Sequence, residues 1–441
     1  MHNKKNFKYL ILLIFFVISC ADKSSLIYNS NQLIDYKLRR PSFWISKVAK
    51  PDKIIMNKQN IKEFNREIIN MNLVKDLLDS KIFNKKNVYN EIKSIVKNMS
   101  KRRLYFIDGR LINKYFYKNL LSNIDLEIYN DIKFNFAFIT RFSNQKLLPT
   151  DRKFFNKRND FYFDRNQNNG LDIGTPVVVA HTTKDKKWCY VLSEYSNGWV
   201  KSKNIVKASR NDIELLNIMK KGVIISNKAD LFADRNLTDY IATARMGDAF
   251  IYVKELENLY EILLPYKDKY NNLRYKRAYI NSIDINKGYL PLTQRNIIKQ
   301  AFKLINNPYG WGDMGFEQDC SKFIQQIFLS FGIKLPRNSY AQSLVGKNIY
   351  NFNKNNINNK RKIIAKDAVP GLTIMYMPGH IMLYTGKHNG DYYVIHAIYQ
   401  TEVKIEETYK KLLINKVEVT PLNWGKNTLF NRIEKINLIT K

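Results

Sequence analysis

The spacing of the apolar residues changes twice along this chain, and each change marks a different kind of fold. From about residue 40 to 125 apolar residues recur at intervals of three and four, as in Ile61, Phe64 and Ile68, which indicates amphipathic helices. From about 130 to 290 short β-type runs alternate with turns, and after 290 helices return and are followed by strands. A chain of 441 residues exceeds what one hydrophobic core supports, so we expect a multidomain α+β protein.

The β-type runs fall into two series. Short strands at regular spacing are typical of small barrels, and two successive barrels account for both series. The resulting domain boundaries are a signal peptide at 1–19, an N-terminal helical domain at 20–128, a first barrel at 129–208, a second barrel at 209–290 and an α+β domain at 291–441.

The N-terminus has the form of a processing signal. Basic residues are followed by nine apolar residues at 10–18, then Ser19 and Cys20. This run is too short to cross a bilayer, which takes about 20 residues. Residues 17–20 resemble a lipobox, which implies cleavage before Cys20 and a lipid on that cysteine. We therefore expect a lipid-anchored protein of the bacterial cell envelope, on the periplasmic or outer-surface side of a membrane.

The basic excess, 73 Lys and Arg against 39 Asp and Glu, permits two interpretations. One is a surface attracted to polyanions such as lipid headgroups or wall polymers. The other is a general bias toward Lys, Asn and Ile, which the scattering of lysines along the whole chain favours. No nucleic-acid-binding module is visible, so no nucleic-acid partner is expected.

Of the three cysteines, Cys320 has the most informative surroundings. Cys20 is the expected anchor, and Cys189 lies in an apolar β-type run that suits a buried residue. Cys320 begins a helix with one strongly apolar face. A helix N-terminus lowers the pKa of a thiol, and its free N–H groups can hold an oxyanion.

Three of the five histidines, His380, His388 and His396, lie close together in sequence on two β-type runs. If these runs form a hairpin centred on His388, then His380 and His396 are cross-strand partners with Cβ atoms about 5 Å apart. We therefore predict Cys320 as nucleophile, His380 as general base and His396 as the residue that orients it. Ordinary strand histidines and a zinc site of one Cys and two His are the alternatives. The helix-start thiol favours the nucleophile, so no metal or other cofactor is expected.

These residues resemble the NlpC/p60 cell-wall endopeptidases, which are papain-like cysteine peptidases. The resemblance depends on three motif regions in the family's order, at 308–339, 379–384 and 394–397. The whole chain resembles the subgroup with an N-terminal helical domain and two bacterial SH3-like barrels before the catalytic domain. The resemblance implies hydrolysis of the γ-D-glutamyl bond to a diamino acid in peptidoglycan stem peptides, with a preference for a free N-terminal L-Ala.

By matched position, the resemblance implies substrate-binding roles for five residues: Tyr309, Asp319, Ser321, Asn338 and Ser339. In the first barrel, Tyr195 or Glu194 is a candidate for a further contact with the substrate. Two residues depart from the family pattern: Lys322 stands where a Gly commonly follows Asp-Cys-Ser, and Asp313 where the second Gly of Trp-Gly-Gly is common. Both departures bear on substrate preference.

Two other functions fit the same residues. One is a catalytically inactive, lipid-anchored peptidoglycan-binding protein. The other is an amidase or acyltransferase on the same papain-like fold. A peptidase is expected to carry a Cys320 thiol that alkylates rapidly at neutral pH, which an inactive protein need not have.

Overall fold

The computed structural model describes residues 33–127, 133–158, 160–352 and 357–441. The signal peptide expected at 1–19 and the lipid site expected at Cys20 lie outside these ranges. Within them, none of the helices combines the length and apolar character needed to cross a bilayer.

The N-terminal region is helical, as the spacing of three and four predicts. Its three longer helices are capped by Asn57, Asn84 and Asn113, the residues just before each helix. Their side chains each accept a hydrogen bond from an N–H of the first turn. Such caps fix where a helix starts. The helices are α1 (Pro41–Ile45), α2 (Lys58–Asn70), α3 (Lys85–Ser100) and α4 (Lys114–Ile124).

The apolar faces of these helices are divided between two cores. Trp44 of α1 and Phe64 of α2 lie in the core of the C-terminal domain. Ile92 of α3 and Leu120 of α4 pack in another core with Trp199 of the first sheet. The N-terminal helices therefore join the first sheet to the C-terminal domain.

The first β region is one seven-stranded antiparallel sheet with the strand order β3-β2-β6-β5-β4-β1-β7. Alternate residues of its β5 face two different cores, with Trp188 and Tyr190 in one and Cys189 and Val191 in the other. Its strands are β1 (Asn135–Ile139), β2 (Ser143–Lys146), β3 (Gln167–Leu171), β4 (Pro176–Thr182), β5 (Trp188–Leu192), β6 (Asn197–Lys201) and β7 (Ile205–Lys207).

Helix α5 (Arg210–Ile218) leads into a second seven-stranded antiparallel sheet with the order β10-β9-β13-β12-β11-β8-β14. Its strands are β8 (Lys221–Ile224), β9 (Lys228–Phe232), β10 (Tyr240–Arg245), β11 (Ala249–Glu255), β12 (Leu259–Lys267), β13 (Leu273–Asn281) and β14 (Ile285–Lys287). Two successive β units are thus present where two barrels were predicted.

The C-terminal domain combines helices with a six-stranded sheet of order β15-β20-β16-β17-β18-β19. Its helices are α6 (Gln294–Lys303), α7 (Cys320–Leu329), α8 (Ser339–Gln342), α9 (Ile357–Asp367) and α10 (Leu429–Arg432). Its strands are β15 (Lys347–Asn351), β16 (Thr373–Met377), β17 (His380–His388), β18 (Asp391–Ile405), β19 (Thr408–Pro421) and β20 (Lys435–Leu438). The side chains of α7 from Cys320 to Phe328 are all buried, which holds this helix rigidly against the sheet.

Two features of this domain bear on the site. Strands β18 and β19 are long, at 15 and 14 residues. Helix α9 carries Lys360, which is buried. The Lys360 ammonium donates to the carbonyls of Phe430, Asn431 and Ile433 at 3.1, 3.0 and 2.8 Å and so fixes the α10 segment.

Candidate active site

Cys320 is the first residue of α7, and Asp319 caps that helix. The Asp319 Oδ1 accepts a hydrogen bond from the Lys322 N–H at 2.9 Å. The N–H groups of the first helical turn before Lys322 have no acceptor within the helix. They are therefore suited to hold an oxyanion formed beside the Cys320 sulfur.

Arg337, a residue that the sequence analysis did not single out, holds the Asp319 carboxylate. Its Nη1 and Nη2 lie 3.0 and 2.8 Å from Asp319 Oδ1 and Oδ2, and its Nη1 also donates to Ser321 Oγ at 3.0 Å. Its Nε donates to Asn169 Oδ1 of β3 at 2.5 Å. The buried Arg337 guanidinium thus fixes the start of the α7 helix to the first sheet.

His380 and His396 form a hydrogen-bonded pair, with His380 Nε2 2.7 Å from His396 Nδ1. His396 Nε2 lies 2.9 Å from the hydroxyl of Thr420 on β19, and both of these residues are fully buried. If each ring carries its proton on Nε2, His380 donates to His396 and His396 donates to Thr420. The unprotonated nitrogen of His380 is then Nδ1. Thr420 is a further site residue that the sequence analysis missed.

The hairpin that joins the two histidines is not centred on His388, as the sequence analysis assumed. Its turn is Asn389-Gly390, both at positive φ, and Leu383 pairs with Ile395. In this register Met382 is opposite His396, so His380 is a diagonal neighbour of His396. Because the offset is two residues, the two rings still share one face of the sheet.

The Cys320 sulfur lies beside the start of β17, where the backbone N–H of Ile381 is near enough to lower the thiol pKa. Across the described ranges, no hydrogen bond joins Cys320 Sγ to the His380 ring, so the bond expected between these two residues is not formed. Hydrogen bonds between catalytic groups are often long before substrate binds and shorten in the complex.

The pKa shifts of the Cys320 thiol and the His380 imidazole both favour the neutral form. Burial, with the charge of Asp319 adding, raises the pKa of Cys320 to about 12, against the opposing effects of the Ile381 N–H and Arg337. Burial, with Arg432 adding, lowers the pKa of His380 to about 4. The Ser321 N–H at the helix start lowers the thiol pKa, as expected, but burial outweighs it, so the expected net lowering is wrong.

His396 is held neutral as well. Burial lowers its pKa well below the ordinary 6.5, and His380 adds to that effect. A neutral His396 can accept the His380 Nε2–H at its Nδ1, which keeps Nδ1 of His380 available as a base.

A cavity of about 670 Å³, here called the main cleft, opens at Cys320. All five residues expected to bind substrate line it: Tyr309, Asp319, Ser321, Asn338 and Ser339. Two of them also stabilise helices, since Asp319 caps α7 and Asn338 accepts the Ala341 N–H of α8 at 2.8 Å. The cleft thus places these five side chains around Cys320.

The opposite wall of the main cleft comes from the N-terminal helices and the first sheet. It includes Lys75, Glu91, Arg165 and Tyr195. The N-terminal region, in which the sequence offered no candidate chemistry, therefore contributes charged groups to the site. Of the two first-sheet candidates, Tyr195 lines the cleft, whereas Glu194 is ion-paired with Lys334 at 2.6 Å.

A second cavity of about 430 Å³, here called the side cavity, is lined by His380 and Arg432 and by Tyr399 of the extended β18. Tyr309 lines both cavities. The two cavities therefore meet at Tyr309, with Cys320 lining one and His380 lining the other.

Asp313 and Lys322, the two departures from the family pattern, belong to one buried ion cluster. The guanidinium of Arg245 on β10 lies 2.5 Å from the Asp313 carboxylate and 2.8 Å from that of Asp172. The Lys322 ammonium lies 3.6 and 3.7 Å from the same two carboxylates. Two cations and two anions thus join both sheets to the C-terminal domain.

Asp313 also occupies a conformation that suits glycine, with φ at +70°. Burial pushes its pKa up, but Arg245 and Lys322 outweigh that effect and hold it below 3.8. Across the described ranges, no group of three or more His, Cys, Asp or Glu side chains has an arrangement that could hold a metal ion.

Two segments of the chain match known families. Residues 306–419 match the NlpC/P60 family, and residues 152–201 match the SH3 domain of SH3b1 type. The first segment contains Cys320, His380 and His396, and the resemblance drawn from the motifs is confirmed for this domain. The second seven-stranded sheet lies outside both matches, so its SH3-like character stays a prediction.

Solved structures share the fold. An NlpC/P60 endopeptidase from Photobacterium damselae subsp. piscicida superposes with a TM-score of 0.73 and 20% identity, over 95% of this chain and 98% of that one. An NlpC/P60 family protein from Bacillus cereus ATCC 10987 gives 0.50 and 16%, over 69% and 100%. No curated protein matches the chain significantly. At these identities the likeness establishes the fold, which is that of NlpC/P60 endopeptidases.

Proposed function

From the NlpC/P60 domain at residues 306–419 and the site within it, we propose that this protein is a cysteine peptidase that hydrolyses peptidoglycan stem peptides in the cell envelope. The bond cleaved is the γ-D-glutamyl bond to the diamino acid. The observation that carries the proposal is the hydrogen-bonded His380–His396 pair together with Cys320, where His380 and Cys320 line two cavities that share Tyr309.

The proposed reaction begins with a neutral pair. His380 Nδ1 takes the thiol proton as Cys320 Sγ attacks the scissile carbonyl carbon, and His396 accepts the Nε2–H of the imidazolium that forms. The oxyanion accepts hydrogen bonds from the N–H groups at the start of α7. His380 then gives its proton to the leaving amine as the C–N bond breaks, and water, with His380 as base, hydrolyses the thioester.

The two cavities support a substrate with a short acyl half on one side of the cleaved bond and the diamino acid on the other side. In our assignment the acyl half, L-Ala-γ-D-Glu, lies in the main cleft and the diamino acid lies in the side cavity beside Arg432. Helix α3 and the first sheet wall the main cleft, which limits how far a peptide can extend from Cys320.

Glu91 of α3 supports the preference for a free N-terminal amine. Its carboxylate lines the main cleft and accepts hydrogen bonds from Asn197 Nδ2 at 3.1 and 2.8 Å. Among the described residues it has no cationic partner within 4.0 Å, which leaves it able to bind an ammonium group such as that of L-Ala.

The test is product analysis with purified protein lacking residues 1–19. L-Ala-γ-D-Glu-diaminopimelate is incubated with wild type and with Cys320→Ala, and the products are separated by liquid chromatography and mass spectrometry. Wild type is expected to release L-Ala-D-Glu and free diaminopimelate, whereas Cys320→Ala releases neither. Binding without cleavage by wild type would identify an inactive peptidoglycan-binding protein, and release of a different fragment would identify an amidase.

The proposed function requires a substrate outside the cytoplasm. We propose that Cys20 carries the lipid anchor and that the substrate is a murein fragment or a stem peptide within reach of that membrane. The sequence at 17–20 supports this part of the proposal.

A further inference from the structure

Arg165 lies in the loop between β2 and β3 and lines the main cleft together with Cys320. Its guanidinium carbon is 4.8 Å from the centroid of the Trp311 ring and 5.6 Å from that of Phe163. Trp311 is itself anchored, since its Nε1 donates to the Asp164 carbonyl at 3.1 Å. Stacking on two rings holds the guanidinium in place without using its N–H donors.

The guanidinium of Arg165 lacks a protein anion. Within the described ranges it makes no ion pair, and its buried Nε has no hydrogen-bond acceptor. The Asp164 carboxylate is occupied by Lys146 at 2.9 Å, and Asp160 accepts the N–H of Tyr162 at 3.2 Å. A buried donor without an acceptor is costly in a folded protein unless a ligand satisfies it.

A second guanidinium strengthens the positive field at this end of the cleft. Arg102 also lines the cleft, and among the residues that the structure describes its side chain bonds to the neutral groups Asn156 Oδ1 and Met99 Sδ and forms no ion pair. Burial lowers the pKa of Arg165, and the charge of Arg102 adds to that effect. Two neighbouring cations that form no ion pair among the described residues make a site for an anion.

We propose that Arg165 binds the free α-carboxylate of the γ-linked glutamate in the acyl half of the substrate, and so determines specificity for that carboxylate. This assignment rests on the proposed function. A γ-glutamyl bond uses the side-chain carboxyl, so the α-carboxylate stays unlinked and ionised close to the bond that breaks. It is the only anion in L-Ala-γ-D-Glu, and the planar fork of an arginine matches a carboxylate.

Tyr309 relates this site to the nucleophile. Its ring centroid lies 6.4 Å from that of Phe163, against which Arg165 packs. Burial, with Cys320 and Asp319 adding, raises the pKa of Tyr309 well above its ordinary value, while Arg165 opposes the rise. Tyr309 lines the main cleft together with Cys320 and Arg165, as expected if these two residues bind neighbouring parts of one substrate.

A matched pair of peptides tests the assignment: L-Ala-γ-D-Glu-diaminopimelate and its analogue with the glutamate α-carboxylate as an amide. Wild type is expected to cleave the acid with at least ~10-fold higher kcat/KM than the amide, in line with a charge-assisted hydrogen bond. Arg165→Gln should lose this preference, cleave the amide as wild type does, and keep the wild-type Tm. Arg141→Gln, an exposed arginine of the same β region, should keep the preference.

Three outcomes would overturn the assignment. Equal cleavage of both peptides by wild type, with the products expected above, removes the carboxylate preference and leaves the proposed function standing. An undiminished preference in Arg165→Gln assigns the carboxylate to another residue. Cleavage of neither peptide by wild type contradicts the proposed function itself, and this assignment with it.

Discussion

The Lys322 ammonium and the Asp313 carboxylate lie 3.6 Å apart in a buried cluster that joins three parts of the chain. Each residue stands where the resemblance to the NlpC/P60 family implies a glycine. In this protein the two substitutions neutralise each other around Arg245 and Asp172. The departures from the motif are therefore explained by packing between domains.

Asp313→Asn is expected to destabilise the fold by about 3 kcal/mol, because it leaves a buried cation without its partner. Asparagine tolerates the positive φ of this position, so the lost free energy of unfolding reports the removed charge and not backbone strain. Thermal unfolding gives the comparison, with exposed Asp230→Asn as the control. The double variant Asp313→Asn with Lys322→Met should lose less than the two single variants summed, and strict additivity would argue against the pairing.

The acid limb of the pH profile should reflect the neutral His380. Because the base must be unprotonated, kcat/KM is expected to fall only as the pH drops through the His380 pKa of about 4. Arg432→Gln removes a charge that lowers this pKa, while Asp319 still raises it, so the limb should move to higher pH. The exposed Arg235→Gln should leave the limb in place, and an unmoved limb in Arg432→Gln would contradict the assigned base.

Thr420 is expected to act as a positioning residue through His396. Thr420→Val removes the oxygen that accepts the His396 Nε2–H, which should lower kcat by roughly 10-fold with KM little changed. Thr420→Ser keeps the oxygen and should retain most of the activity. Similar losses in both variants would point to packing instead of the hydrogen bond.

Lipidation of Cys20 is tested by fractionation. In a bacterial host the wild-type chain is expected in the membrane fraction and to incorporate a fatty acid, whereas Cys20→Ser should do neither. Fatty-acid incorporation in the Cys20→Ser chain would remove Cys20 as the anchor.

Much of the fold could be predicted because it depends on local patterns. The changes in apolar spacing gave the order of helices and sheets, and the confirmed NlpC/P60 domain was recognisable from its motifs. The hairpin centre was also readable, since Asn389-Gly390 is a strong signal for a two-residue turn, but the symmetric placement of three histidines obscured it.

The missed features depend on packing between distant segments. Arg337 reaches Asn169 in the first sheet, and Arg245 reaches Asp172 and Asp313, contacts that no local period encodes. The thiol pKa was predicted in the wrong direction for the same reason. A helix start lowers a thiol pKa, but Cys320 is buried in the core that its own domain shares with the N-terminal helices, and this burial dominates.

The most direct test of the central claim is to trap the acyl-enzyme. Wild type is mixed with L-Ala-γ-D-Glu-diaminopimelate, quenched in acid within one turnover and digested for mass spectrometry. We expect an L-Ala-D-Glu acyl group on Cys320 of the wild type. It should be absent from Cys320→Ala and reduced in His380→Ala. Release of L-Ala-D-Glu by Cys320→Ala at the wild-type rate, or an acyl group on any other residue, would contradict the central claim.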